Sequence, residues 1–416
     1  AHGVETMTTT NTHDPLGRIV QRIDAAGNVS KIDFTPLDMP SATEDKLGNR
    51  RDMRYNPVGN VSHVTFADGT SRSFVYDAAG RHIATVDGEG QTTAISYDAV
   101  GRPVSRTHPD GSVSETIYNE IGQVTQQIDE RGNATQYEYD SAGRNTAITN
   151  ALGETVRFEY SDRGQLLAMR DPNGRTTTFA YDLNGRKTTT TFPDGTSLRS
   201  GYDAKGRLIS KTDQAGKTMR FEYDKVGRLT AVIDALGHET SYEYDEVGNP
   251  IAQTDANGHT TRFDYDHRGN MTRRTLPLGM SESMVYDADG NLIEKIDFNG
   301  QTTSFEYNTL NQVVRKIFPD GRTVEYSYTG EGLPKSIRTD EGTTSYEYDS
   351  RYRLMSKTTP DGRISYEYDA AGNRTAVTTP TGTVRASFDS LNRLEEVSDA
   401  ETGTTRYQYD SVGNLA

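Results

Sequence analysis

Large apolar side chains in this sequence fall at every second position of short runs. Phe221-Glu222-Tyr223, Tyr242-Glu243-Tyr244 and Phe305-Glu306-Tyr307 each read aromatic, polar, aromatic. A period of two over runs of five to seven residues rich in Thr, Val, Ile, Tyr and Phe predicts strands with one aromatic face. Gly or Asn interrupts every window long enough for a helix. Two turn signals separate the runs. One is seen in Phe192-Pro193-Asp194-Gly195, with echoes at His108-Pro109-Asp110-Gly111, Phe318-Pro319-Asp320-Gly321 and Thr359-Pro360-Asp361-Gly362. There Pro presets φ, Asp bonds its own backbone and Gly takes the positive φ of a three-residue hairpin loop. The other signal is Tyr-Asp-x-x-Gly-Arg, as from Tyr202 to Arg207. Asn311 and Asn392 stand in for its Gly, which assigns that column a left-handed backbone.

The pattern repeats. From Tyr55 to Tyr328 the opening Tyr recurs every 21 residues; the step falls to 20 at Tyr348, Tyr368 and Phe388 and returns to 21 at Tyr409. Upstream the column falls on Phe34 and His13. Residues 1–416 therefore read as one array of about 20 repeats, with phase slips near 339–342 and 399–403. Other departures are Met39-Pro40, Leu276-Pro277-Leu278-Gly279 and Ser350-Arg351-Tyr352-Arg353, where Tyr352 occupies the Gly column. The irregular C-terminal fifth is expected to curve differently and narrow an end.

Parity constrains the sheet. Because 21 is odd and strand side chains alternate, two identical three-residue turns would flip the faces in successive repeats. Either the loops differ in length or one strand carries a bulge, and the adjustment is expected at the Tyr-Asp-x-x-Gly turn. Two strands per repeat make roughly 40 antiparallel strands, on the order of 190 Å of sheet at about 4.8 Å per strand. Sheets rarely pass about ten strands without curling or splitting. The expected fold is all-β, one long antiparallel sheet coiled into a hollow shell around a cavity, as one wide turn or several narrower ones. A β-propeller is the fold-level alternative, although two repeats per blade give more blades than the usual range of about four to eight.

Composition adjusts this picture. A hydrophobic share of 32% and mean hydropathy of −0.77 lean towards disorder, but 17 of the 24 Tyr occupy one column of the repeat, as a disordered chain does not arrange them. Net charge is −15 without a basic block, which disfavours nucleic acid as a partner. No apolar run is long enough to span a membrane as a helix, and Cys is absent. Without an initiator Met, and stopping inside a repeat, the chain reads as a section of a longer polypeptide.

Candidate chemistry is sparse. Asp171-Pro172-Asn173-Gly174 and Asp255-Ala256-Asn257-Gly258 offer one or two oxygens each, too few for calcium. His238-Glu239 lacks the second His of a zinc helix. Glu222, Glu243, Glu306, Glu347 and Glu367 recur as the polar face of strands rather than as a glycosidase pair. No catalytic, cofactor-binding or metal-binding residue is assigned. The positions singled out are structural: Tyr76, Asp77, Gly80 and Arg81; Tyr139, Asp140, Gly143 and Arg144; Tyr181, Asp182, Gly185 and Arg186; Tyr223, Asp224, Gly227 and Arg228.

Tyr139-Asp140-Ser141-Ala142-Gly143-Arg144, Tyr181-Asp182-Leu183-Asn184-Gly185-Arg186 and Tyr223-Asp224-Lys225-Val226-Gly227-Arg228 strongly resemble the YD-repeat, or Rhs, family, and the resemblance covers essentially the whole chain. It implies a spiral β-shell (a β-cage), of which this chain is a section, enclosing a C-terminal toxin until delivery. Such proteins serve bacterial contact-dependent killing, often through type VI secretion, or form shells of insecticidal toxin complexes, and related repeats occur in teneurins. The implied partners are the enclosed toxin domain and, through N-terminal parts outside this chain, a secretion-apparatus spike or chaperone; the implied location is secreted and bacterial. The family's shell usually closes with an autoprotease segment containing Asp-Pro-x-Gly elements. The repeats here run to Ala416 without such a segment, so autoproteolysis and toxin chemistry are expected outside this chain. The competing reading is a cell-surface module binding glycans or proteins, against which stands the absence of Trp for sugar stacking.

Overall fold

A computed structural model describes residues 9–24 and 27–416. They form 39 strands of a single sheet, and no helix occurs among the described residues. Each described pairing is antiparallel and joins sequence neighbours, as in β21 (Thr218–Tyr223), β22 (Leu229–Ile233) and β23 (Glu239–Tyr244). In the regular repeats a six-residue strand ending in the column Tyr alternates with a five-residue strand.

Both turns of a regular repeat are three-residue loops of one kind. Asp224 N–H donates to the Arg228 carbonyl at 2.9 Å and Gly227 N–H to the Asp224 carbonyl at 3.2 Å; Asp234, Gly237 and His238 repeat the scheme at 2.9 and 3.1 Å. Gly227 and Gly237 have φ of 102° and 88°. Since the loops match, the parity correction must lie in a strand. Glu222 faces Ala231 but Tyr223 faces Leu229, so Thr230 is an extra residue on the outgoing strand. The same slip recurs beside Tyr76, Tyr139, Tyr181 and Tyr202 and is absent across the Asp234 turn. One bulge per repeat, just outside the Tyr-Asp turn, keeps the aromatic face on one side.

The 20-residue repeats solve the same problem differently. Thr339 pairs directly with Gly342 and Thr359 with Gly362, so the connecting loops have two residues. A two-residue loop changes parity itself; with the bulge that makes two changes, and an even repeat returns to its starting face. Thr359-Pro360-Asp361-Gly362 therefore departs from the three-residue loop expected of it. Its Gly has φ 143°, against 82° at Gly195 and Gly111 and 84° at Gly321, which do sit in three-residue loops. A Cβ on Gly342 would lie 2.5 Å from Pro360 Cγ, and one on Gly362 would lie 2.6 Å from Pro380 Cγ, so successive Pro rings stack on the preceding Gly. Near 399–403 the loop regains three residues, because Asp399 pairs with Gly403.

The sheet has little interior of its own. Among the described residues the buried hydrophobics are Ala42, Ala147, Ala168, Ala231, Ala252, Ala376, Val64 and Met284. Each of these Ala is the third residue of its strand, next to the bulge. Gly201 shows how tight that site is: a Cβ there would approach Ser210 Oγ to 2.4 Å. The aromatic face is half-buried, with each ring against neighbouring strands. Stability thus comes from contacts between adjacent hairpins, each worth about 0.2–1 kcal/mol per side-chain pair, summed along the array.

By contact density the chain divides into two compact units. The first holds residues 1–114, 284–367 and 376–382, the second 115–283, 368–375 and 383–416. Each unit combines runs of sheet that are far apart in sequence.

Candidate functional site: two turn edges

The recurring Tyr, Asp, Gly and Arg of the repeat converge on one cross-linked turn. Asp224 Oδ1 accepts N–H bonds from Val226, Gly227 and Arg228 at 3.0, 2.7 and 2.8 Å, while Oδ2 takes Arg228 Nε at 2.6 Å. Partial burial opposes the charge on Asp224, but the bonds from the Arg228 side chain and from the Arg228 and Gly227 backbone prevail and pull its pKa down to about 2. Arg228 then reaches forward: Nη1 donates to the Asp245 carbonyl at 2.7 Å and the guanidinium lies 5.0 Å from the Tyr244 ring. Tyr223 reaches back, donating its hydroxyl to the Leu208 carbonyl at 2.9 Å. Pairing of β20 (Leu208–Thr212) with β21 spans only Ser210 to Thr212, so the carbonyl at the bulge lies beyond the ladder and the next repeat's Tyr satisfies it.

The other three quartets are built alike. Tyr76, Tyr139 and Tyr181 donate to the carbonyls of Val61, Val124 and Leu166 at 2.9, 2.7 and 2.9 Å. Asp77–Arg81, Asp140–Arg144 and Asp182–Arg186 are each bonded through Nε at 2.6 Å. Those Arg bridge to the carbonyls of Asp98, Ser161 and Asp203 at 3.3, 2.7 and 2.8 Å. Gly80, Gly143 and Gly185 have φ of 77°, 80° and 81°. The structure thus brings the four residues of each quartet into one turn, with the quartets whole multiples of 21 residues apart; it does not gather them into a pocket.

These turns form one edge of the sheet, and the Asp-x-x-Gly turns form the other. Within each unit the two kinds of edge meet, between residues 238–265 positions apart. In the first unit, Glu331 takes Arg72 Nη2 with one oxygen and the Gly88 N–H, at 2.8 Å, with the other. The Tyr352 hydroxyl donates to Asp87, and burial together with that carboxylate raises its pKa well above the usual phenol range. Arg351 Nη1 donates to Ser112 Oγ at 3.1 Å, and Arg353 Nη2 lies 3.4 Å from Asp110 Oδ2. Burial and the facing Asp45 raise the pKa of Asp289, which accepts a bond from the Lys46 backbone. In the second unit, Arg131 donates to the carbonyls of Phe388 and Asp389, both at 3.0 Å, and to Asn392 Oδ1 at 3.1 Å, while Ser411 bonds Asn173.

Sequence reading singled out Tyr352 and Asn392 as departures but missed their partners. The signal was present in the substitution itself: a side chain placed at a left-handed apex, φ 65° and 59°, extends away from the turn and can reach a facing edge. Glu331, Arg131 and Asp87 carry no such mark. Among the described residues no group of three or more His, Cys, Asp or Glu is arranged to hold a metal ion. Two open clefts, one of about 400 Å³ along Glu154, Arg157, Arg170 and Asp171 and one of about 420 Å³ along Lys211, Asp213 and Lys217, present charged side chains without a nucleophile–base pair.

A bulged antiparallel sheet whose hairpins are tied to their neighbours by a recurring Tyr, and at many turns by Asp and Arg as well, defines a class, the YD-repeat wall. The chain belongs to the YD-repeat (Rhs) family. A Teneurin YD-shell model matches residues 196–360, and an RHS Repeat model matches residues 55–92, 76–113, 118–155, 160–197 and 348–384. The fold is shared with solved structures described as TcdB2-TccC3-TEV (TM-score 0.76, 17% identity, 100% of this chain and 30% of that one) and as the Photorhabdus luminescens Tc holotoxin pore (TM-score 0.72, 16% identity, 98% and 30%). Double-stranded DNA deaminase toxin A of Burkholderia cenocepacia (strain H111) is 35% identical over 65 residues, 16% of this chain and 5% of that protein. The chain therefore spans less than a third of the length of these relatives.

Proposed function

We propose that this chain is a wall segment of a secreted YD-repeat toxin, sheltering a toxin polypeptide that lies outside it until delivery to a competitor or host cell. One observation carries the reading: among the described residues the sheet buries few side chains, six Ala together with Val64, Met284, Glu282 and Ser356, so it is built as a partition and not around a core. The likeness to TcdB2-TccC3 assemblies supports it, and one of those structures is described as lacking a hypervariable C-terminal region. The partial match to a deaminase toxin points the same way. On this reading the chain is not itself an enzyme. Its mechanism is exclusion, keeping a cargo from proteases and from its target, and the tied hairpins keep gaps from opening in the wall.

Limited proteolysis of the native polypeptide containing this chain tests the proposal. The toxin segment should resist protease while the wall is folded and be cut within the same interval once the wall is unfolded by acid or denaturant. Cleavage of that segment in the folded protein as fast as in the isolated segment overturns it.

A further inference from the structure

Glu331 and Asp289 hold matching places in the first unit. Each is the apex of a Tyr-Asp turn, and each receives the N–H of the residue that follows the Asp of a facing Asp-x-x-Gly turn, Gly88 for Glu331 and Lys46 for Asp289. Two repeats separate the contacts on both runs. Their second oxygens fare differently. Glu331 gives its own to Arg72. Two repeats earlier the place of Arg72, the second residue of its strand, is taken by Ser30, so that position supplies no guanidinium. Asp289 Oδ2 is buried without a hydrogen-bond partner. The charged groups around it are Asp45 and Lys46 across the contact and Asp287 in its own turn. Lys46 Nζ is drawn to Asp24 Oδ2 at 2.8 Å. Asp287 is occupied by the N–H groups of Asp289 and Asn291 at 3.0 and 2.9 Å and by Asn291 Nδ2 at 2.9 Å. Burial and the like charges of Asp45 and Asp287 outweigh Lys46, and the Asp289 pKa is raised.

We propose that Asp289 is a proton-operated latch between the two runs: closing the edge at Lys46 takes up one proton on Asp289, so this point of the edge holds in mild acid and slackens as pH rises. Both oxygens of Asp45 already accept bonds, Oδ1 from the Leu47 and Asn49 N–H groups at 3.0 and 2.8 Å and Oδ2 from Asn49 Nδ2 at 2.9 Å. The vacant oxygen is Asp289 Oδ2, and the proton belongs there. A neutral carboxyl group keeps one oxygen for the Lys46 N–H while removing a charge from the contact. A carboxyl group raised in the closed edge contributes in full below the ordinary carboxylate range, and the contribution is lost as pH climbs past the raised value. The turn aspartates such as Asp224 have the opposite sign, because there the charged form is the bonded one. The latch belongs to the sheet and does not depend on what the wall encloses.

Hydrogen exchange at residues 45–48 in the native polypeptide containing this chain tests this, with wild type and Asp289→Asn compared at matched pH so that intrinsic rates cancel. At about pH 7.5 exchange in Asp289→Asn should be severalfold slower than in wild type, and the ratio should fall to one as pH approaches about 4; uptake of one proton limits the change to about tenfold per pH unit. Asp45→Asn, which removes the facing charge, should show the same trend, and residues 87–90 should be unchanged in both variants. Asn already stands in the Asp289 column at Asn184 and in the Asp45 column at Asn150, where its Oδ1 accepts the same two N–H bonds, each at 3.0 Å, so both substitutions suit their turns. Either variant suffices should the other fail to fold. A ratio of one at about pH 7.5 overturns the proposal. So does faster exchange in a folded variant, or a difference from wild type that does not vary with pH.

Discussion

Glu331 offers the most direct measure of what holds distant runs of the sheet together. Its carboxylate, 14% exposed, bonds Arg72 on one oxygen and the Gly88 N–H on the other. Glu331→Ala removes both bonds and leaves the exposed Gly88 N–H to water. Bonds to charged groups contribute about 1.5–3 kcal/mol each. Arg72 is 40% exposed and Gly88 is exposed, so water recovers most of both shares, which leaves about 1 kcal/mol. Since each 1.4 kcal/mol is tenfold in an equilibrium, the loss corresponds to roughly fivefold faster exchange. Hydrogen exchange read at residues 87–90 is the assay, because it reports local opening without requiring the long array to unfold as one unit. Glu222→Ala, on the exposed strand face, is the control and should leave its region unchanged. Unaltered exchange at 87–90 in Glu331→Ala would refute the claim that this carboxylate fastens the edge.

Three further outcomes follow from the geometry. Gly342→Ala should destabilise more than Gly227→Ala in denaturant unfolding: both carry positive φ, a cost of about 1–2 kcal/mol, but only Gly342 has a ring 2.5 Å from the new Cβ. Tyr223→Phe should cost about 1 kcal/mol by leaving the Leu208 carbonyl at the bulge without its donor, and equal stability of variant and wild type would remove that role. Acid should loosen the array. Asp224 is held at about 2, and Asp77, Asp140 and Asp182 are also lowered, so their contribution is complete above the ordinary carboxylate range and is lost as pH falls from about 4 towards 2. Denaturant midpoints at pH 6, 4 and 2.5 should be similar for the first pair and much lower at the last.

The alternation around Phe221 and Tyr223 and the odd repeat were enough to predict strands, turns and a parity correction beside the Tyr-Asp turn. Those are local properties, set by side-chain period and by which residues tolerate left-handed backbone. The same reasoning failed at Thr359-Pro360-Asp361-Gly362, because Pro-Asp-Gly suits either loop length and only the strand pairing decides. Asp and Arg are neighbours within a turn, yet the forward reach of Arg228 to Asp245 depends on the strand pairing that sets successive Tyr-Asp turns side by side. The pairing of Glu331 with Gly88, or of Arg131 with Asn392, has no local signature. It depends on how many hairpins the chain lays down before it meets itself, a quantity that accumulates small twists and that no single repeat encodes.

The two-way correction of parity bears on how such a wall can change in length. A 21-residue repeat and a 20-residue repeat each return every side chain to its own face, one through a single bulge and the other through a bulge and a shortened loop. Insertion or loss of a whole repeat is therefore silent for the sheet but not for its edges. Removing one repeat between Val113 and Tyr307 would slide the later run one hairpin along the earlier one, placing Glu331 and Tyr352 opposite the wrong turns. Asn, Tyr and Glu apices then act as teeth on a rack: the sheet tolerates any whole number of repeats, and the keyed teeth select one.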